Sequence, residues 1–411
     1  MPKDWAGHGV DLHLEIDPAR GRRRGLEDAL RAAIRDGRLP PGTRLPSSRA
    51  LAAELGLARG TVTAAYDQLT EEGHLTTHPG SGTETTATPR PGSGAEAAVA
   101  RLRHDTPPAP PGPSRPASPA TSLVADITDV SGVPVRHDLR PGQPDVSAFP
   151  ARAWLRATRH VLATAPAEVF GPCDPRGRIE LRTALAGYLG RTRGVLTTPD
   201  RIVITTGFVQ SLNLLATVLG EGPIAMEDPG HDFYREVLRR AGRTLVPLPV
   251  DERGARTETL TPEVAAAVLT PAHQYPTGVP LHPQRRRELR EWGGPVIEDD
   301  YDGEFRYDRR PVGALQGASP DQVVYCGTTS ESLAPALRLA WMAVPPALVG
   351  PVAEAKLHAD AHTEVLGQLV LARLIETHDY DRHIRAARLR YRRRRALLLA
   401  RLGPGPRAPL P

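Results

Sequence analysis

Apolar residues recur at helical spacing three times near the amino terminus. In GLEDALRAAIRDG, Leu26, Ala29, Leu30, Ala33 and Ile34 share one helical face, and Gly37 ends the stretch. LPPGTRLPS reads as a turn, after which Ser47 and Ser48 can cap a second helix, SRALAAELGL, with Leu51 and Leu55 inward. Gly56 makes a tight turn into a third, RGTVTAAYDQLTEEG, whose apolar face is Val62, Ala65, Tyr66 and Leu69. LTTHPGSGTETT follows, two short β-prone pieces around a glycine-rich tip, and reads as a hairpin.

This periodicity spans residues 10–86 and then stops. Residues 87–134 are dense in Pro, Ala, Ser and Gly, bury no core and read as a linker, extended where prolines cluster. Over 135–402 short apolar runs alternate with amphipathic stretches. RIVITT, GPIAMED, PVIEDD and VVYCGT read as buried strands and the intervening stretches as helices. That alternation predicts an α/β domain with a mostly parallel sheet. Residues 403–411 read as a disordered tail, and no internal repeat is present.

Composition narrows the class. The 411 residues, 40% apolar, suffice for two or more domains. No apolar run reaches the roughly 18 residues of a membrane span, and the first residues lack the pattern of a signal peptide. Cys173 and Cys326 are the only cysteines, and neither has metal-ligand spacing. A reduced, cytoplasmic protein without membrane or metal is the expectation. The formal charge is +5, carried almost wholly by arginine, since Lys3 and Lys356 are the only lysines. Over residues 20–83 ten Arg face seven Asp plus Glu, a net of +3, so most of the excess sits on the amino-terminal segment.

Three helices at helix-turn-helix spacing followed by a wing form a DNA-docking shape. The third helix offers Arg59, Thr61 and Thr63 at its start, where base edges would lie, while Arg44 and Arg49 can reach phosphates. The run RDGRLPPGTRLPSSRALAAELGLARGTVTAAYDQLTEEGHL resembles the GntR winged-helix family almost throughout. The resemblance implies that Arg49, Arg59, Thr61 and the wing glycine Gly80 contact double-stranded DNA. That family often has a further arginine where Thr63 stands, so the base preference stays open.

The second region holds several stretches able to do chemistry. In TTGFVQSLNLL, Gly207 opens a helix after a strand, and the free N–H groups there can hold a phosphate, a pattern shared by many strand-to-helix turns. EDDYDGEF puts acids at a strand's carboxyl end, the ligand edge of such a sheet. An aspartate there can hold a protonated pyridine nitrogen; equally, the acids can form a solvated capping cluster. VVYCGTTSESLAPALRLAW combines Thr328, Thr329 and Ser330 with Arg338, a possible phosphate cradle.

In order and spacing these stretches resemble the aminotransferase-like domain of MocR regulators, a branch of the GntR family, from about Asp138 to about Leu402. The resemblance implies a fold-type I pyridoxal-phosphate domain and a homodimer with a small-molecule effector. Asp299 would bind the pyridine nitrogen and Tyr301 the phenolic oxygen. Thr328, Ser330 and Arg338 would bind the phosphate, with backbone help near Gly207.

Three departures change what is expected. Glu331 stands where the family carries its Schiff-base lysine, and Lys356, some 25 residues on in a helical stretch, is a poor substitute. The sequence ends at LLARLGPGPRAPLP, before the small subdomain that carries the family's arginine for the substrate carboxylate. His231 replaces an aromatic near the cofactor ring, and imidazole can still stack. The arginine run 382–395 reads as a solvated helix face rather than a second nucleic-acid patch.

The expectation is a DNA-binding regulator whose effector domain has lost catalysis. Pyridoxal phosphate or pyridoxamine phosphate is held without a covalent bond, with Glu331 favouring the amine, or the domain is an empty scaffold. The alternatives are a pyridoxal-phosphate aminotransferase with an accessory DNA-binding domain, and a shortened product that folds poorly.

Overall fold

A computed structural model describes residues 14, 16, 21–71, 74–78, 82–86, 144–305 and 312–402. The segments read as linker and tail, and the wing tip with Gly80, lie outside them.

The amino-terminal part is α1 (Arg22–Arg35), α2 (Ser48–Leu55), α3 (Arg59–Glu71) and the antiparallel hairpin β1 (Leu75–His78) and β2 (Gly82–Thr85). The anticipated apolar faces meet in one core, in which Leu26, Leu30, Leu51, Val62 and Leu69 are fully buried. Leu55 packs against this core but is only partly buried. Leu14, Leu39, Leu45 and Leu75 complete it from outside the three helical stripes. The cap of α2 is Ser47, whose Oγ accepts from the Ala50 amide at 3.2 Å. Gly56 adopts φ 66° where the chain turns toward α3, a conformation that favours glycine. The Tyr66 hydroxyl donates to the Pro46 carbonyl at 2.8 Å, tying α3 to the turn before α2.

The carboxy-terminal part contains α4 (Ala151–Thr164), α5 (Ile179–Arg193), β3 (Ile202–Thr205), α6 (Phe208–Val218), β4 (Ile224–Asp228) and α7 (Asp232–Arg240). Next come β5 (Leu245–Asp251), β6 (Gly254–Ala255), β7 (Ala266–Leu269), α8 (Pro283–Trp292), β8 (Val296–Asp299), β9 (Val323–Thr328) and β10 (Ala340–Ala343). Three helices close it: α9 (Pro346–Asp360), α10 (Val365–Glu376) and α11 (Asp379–Leu402). The sheet order is β3-β10-β9-β8-β7-β4-β5-β6. Neighbours from β9 through β5 run parallel, and β10 lies antiparallel between β3 and β9.

Strand alternation splits the apolar residues between two layers. Ile202, Ile204, Tyr325 and Trp341 pack with α5 and α10 on one face. Val203, Val324, Cys326 and Met342 pack with α6 and α9 on the other. The four anticipated strands are β3, β4, β8 and β9. The arginine run falls on α11, where Ile384 and Ala387 are buried and Arg394 pairs with Asp145 at 2.8 Å, as a helix face should. Arg191 of α5 binds the fully buried Asp381 of α11 through two contacts of 2.6 and 2.8 Å.

Candidate functional site

The carboxyl ends of β8 and β9 build the site, because parallel neighbours deliver their following loops to one edge. At the end of β8 three consecutive acids do different work. Glu298 is fully buried and accepts the Leu315 and Gln316 amides at 2.7 and 3.0 Å. Asp300 accepts two contacts from Arg193, 2.6 and 2.8 Å, and one from the Tyr325 hydroxyl at 2.8 Å. The loop is thereby anchored on both sides of Asp299. Burial first, then Asp300, Asp302, Glu227 and Glu331, hold the Asp299 carboxyl well above its ordinary range.

The residues that the sequence reading sets at a phosphate come from three chain segments. Gly207 precedes α6 with φ 149°, and no side chain caps that helix, so its first amides are open. The Arg338 guanidinium lies against Gly207: a Cβ there would meet Nη2 at 2.5 Å. Arg338 itself has φ 51°, a conformation uncommon outside glycine. The Thr328 hydroxyl donates to Ser330 Oγ at 3.0 Å and accepts the Ser330 amide at 3.1 Å. Hydroxyls, helix amides and a guanidinium thus converge from β9, α6 and the turn before β10, a donor set suited to a phosphate.

Aromatic groups wall the space between. His231 stacks on Tyr234 and Tyr275, with ring centres 4.1 and 5.0 Å away. Tyr301 does not stand alone: its hydroxyl lies 3.2 Å from His273 Nδ1, and that nitrogen is 2.5 Å from Asp302. The sequence reading passed over His273, Asp302, Tyr234 and Glu227. Glu227 is buried, accepts from Thr270 and Gln274, and is pushed up to about 7 by burial. Asp302 lies in EDDYDGEF and Glu227 in GPIAMED, stretches that point to Asp299 and to a strand, while His273 and Tyr234 lie in stretches without a local signal.

In the amino-terminal part Arg44, Arg49, Arg59 and Thr63 are exposed and Thr61 is partly exposed. Arg44 forms an isolated β-bridge with Glu84, and its Nε would lie 3.2 Å from a Cβ at Gly82, so it also clasps the wing.

Comparison with known proteins agrees with both halves. Residues 22–84 match the model of bacterial regulatory proteins of the gntR family, and residues 138–405 match aminotransferase class I and II. The chain is 33% identical over 397 residues to the probable rhizopine catabolism regulatory protein MocR of Rhizobium meliloti, covering 95% of this chain and 78% of that protein. The chain belongs to the MocR branch of the GntR regulators. It is also 30% identical to the pyridoxine biosynthesis transcriptional regulator PdxR of Corynebacterium glutamicum, over 94% of this chain and 80% of that one. The kynurenine aminotransferase of Pyrococcus horikoshii superposes with a TM-score of 0.61 at 25% identity, covering 68% of this chain and 72% of that one. This MocR-type regulator therefore carries a helix-turn-helix region and a fold-type I aminotransferase domain. Among its described residues no helix is long and apolar enough to cross a membrane.

Glu331, where the sequence resemblance leads one to expect a lysine, has distinctive surroundings. Glu331 is half-buried, and none of the described residues donates a hydrogen bond or an ion pair to it. Burial, then Asp302, push its carboxyl up to about 7. Lys356 offers no replacement: its side chain is fully buried on α9 and bonded to Asp360.

Glu331 makes a pH prediction. In the unfolded chain its carboxyl has the ordinary value of 4.5 and in the fold about 7, so the folded form binds the proton more tightly. Its contribution to stability is present below the lower value and is lost as pH rises through the upper one. Glu331→Gln should therefore be more stable than the parent at pH 8, by about 1–3 kcal/mol, and equal to it near pH 4. Melting curves across that range check this; parallel pH profiles would show that the carboxylate is not desolvated.

Proposed function

We propose that this MocR-type regulator binds operator DNA as a homodimer and senses a B6 vitamer in a pocket that no longer transaminates. The observation that carries the second half is Glu331 at the position of the family's lysine: a carboxylate forms no covalent bond to an aldehyde carbon and is no amine base. Pyridoxal phosphate, when bound, supplies an electron-poor ring that withdraws charge from carbon attached to its aldehyde. The residues fit that group at two of its three ends. Asp299 holds the ring nitrogen. Thr328, Ser330, Arg338 and the amides near Gly207 hold the phosphate, while Tyr301, whose hydroxyl also bonds to His273, serves the phenolic oxygen and His231, stacked on Tyr234 and Tyr275, borders the ring. The third end, where chemistry would occur, meets Glu331.

For DNA, α3 enters the major groove with Arg59, Thr61 and Thr63, while Arg44, Arg49 and the wing at Gly80 grip the backbone. A single winged helix buries too little for useful specificity, so two heads address two half-sites. The PdxR protein's name ties it to pyridoxine biosynthesis, which supports a vitamer as effector here.

The test is twofold. Footprinting of the purified protein on its own upstream region should protect paired half-sites. Assays with common amino acids and pyridoxal phosphate should give no transamination. Turnover that survives Lys356→Ala would favour an aminotransferase with an accessory DNA-binding domain instead.

A further inference from the structure

The charge pattern of the pocket distinguishes the two phosphorylated vitamers. They share the phosphate, the ring nitrogen and the phenolic oxygen, and differ at one carbon, which carries a neutral aldehyde in one and an ammonium in the other. Discrimination must therefore come from the groups facing that carbon.

Those groups are acids. Glu331 sits on the loop after β9, three residues beyond Thr328 of the phosphate cradle. Asp302 sits on the loop after β8 and acts electrostatically on Glu331. Glu331 in turn acts electrostatically on Asp299, Tyr301 and Tyr234, which sets its carboxylate near the ring site. Asp302 is already engaged by His273 at 2.5 Å. Glu331 has no donor among the described residues. Arg338 lies at Gly207, at the phosphate end, and Lys356 is sealed against Asp360. An incoming ammonium is the one vitamer group that supplies what Glu331 lacks. A neutral aldehyde brings no donor and desolvates the carboxylate further.

We infer that the pocket selects pyridoxamine phosphate over pyridoxal phosphate, with Glu331 accepting a charge-assisted hydrogen bond from the ammonium. The inference rests on the pocket's being a vitamer site. In it the chain's lost lysine is replaced by a reader of amination state.

Proton linkage provides a second signature. A carboxyl raised to about 7 is partly protonated in the free protein at neutral pH. An adjacent ammonium favours the ionised form, so the amine vitamer should release protons on binding and the aldehyde should not.

The experiment is calorimetric titration of the full-length protein with each vitamer, and of Glu331→Gln with both, at pH 7 in two buffers of different ionisation enthalpy. Pyridoxamine phosphate should bind at least about tenfold tighter, the size of a charge-assisted hydrogen bond in a partly dry site, with proton release. In Glu331→Gln, an isosteric change whose folding is checked by melting at pH 5, the preference and the proton release should both disappear. Equal or tighter binding of the aldehyde overturns the inference and leaves the vitamer site standing. A preference that persists in Glu331→Gln removes Glu331 from the role. Binding of neither vitamer overturns the vitamer reading itself, and the inference with it.

Discussion

Replacing Arg59 by alanine should lower operator affinity by about 1–3 kcal/mol and flatten discrimination at one base position of each half-site. Arg59 is the first residue of α3 and is exposed, with Thr61 and Thr63 beside it along the same turn of helix. A guanidinium there can reach a guanine edge with two donors at once, which no other side chain on that turn can do. Arg49→Ala is the control: near the start of α2 it addresses phosphate, so it should weaken all sequences alike and lower the salt dependence. Binding isotherms on an operator series at two salt concentrations separate the two. Uniform loss from Arg59→Ala would move base reading elsewhere on α3.

The second large effect is expected in the carboxy-terminal part of the chain. Arg338→Ala should cost either vitamer about 1.5–3 kcal/mol, roughly tenfold to over a hundredfold in affinity, without changing the ratio between them. The two vitamers share the phosphate, and Arg338 lies at the phosphate end, against Gly207. Stability should change little, since Arg338 is exposed and adopts a left-handed backbone conformation at φ 51°. A substitution that altered the ratio would show that Arg338 also acts on the reacting carbon.

Much of this was legible in the residue pattern, for reasons that differ from place to place. The stripes of α1 and α3 are long and strictly periodic, and one face is buried, so sequence and fold agree there. In the sheet, β4, β8 and β9 are compact apolar runs ending in acids or hydroxyls, which is how strands finishing at a ligand edge read. The strand β5, LVPLPVD, escaped because it holds two prolines, and β7, AAVL, because alanine suits a helix equally well. In β10, AWMA, the antiparallel insertion leaves no local mark. At the site, Asp299 and Arg338 stand in short-range motifs that a linear reading can single out. His273, Asp302 and Glu227 gain their meaning from partners 28 or more residues away, and a linear pattern carries no such information. The isolation of Glu331 is of the same kind: the motif sets it where the family has a lysine, but only the fold shows which described residues approach it.

Lys356 has a further consequence for how the protein can be interrogated. Its Nζ is buried against Asp360, which also accepts from Gln210 at 2.6 Å, and Gln210 accepts the Thr206 amide beside Gly207 at 2.9 Å. The only other lysine in the sequence is Lys3. Amine-reactive labels therefore have one internal target, and it is shut off by α9. The rate at which Lys356 acquires a label measures how often that helix lifts away, in the manner of hydrogen exchange but at a single chemical address. Occupancy of the phosphate cradle should slow that rate, since the same hydrogen-bonded chain ends at the cradle's own backbone. A protein so poor in amines thus carries a built-in reporter of the proposed vitamer pocket, read by mass alone.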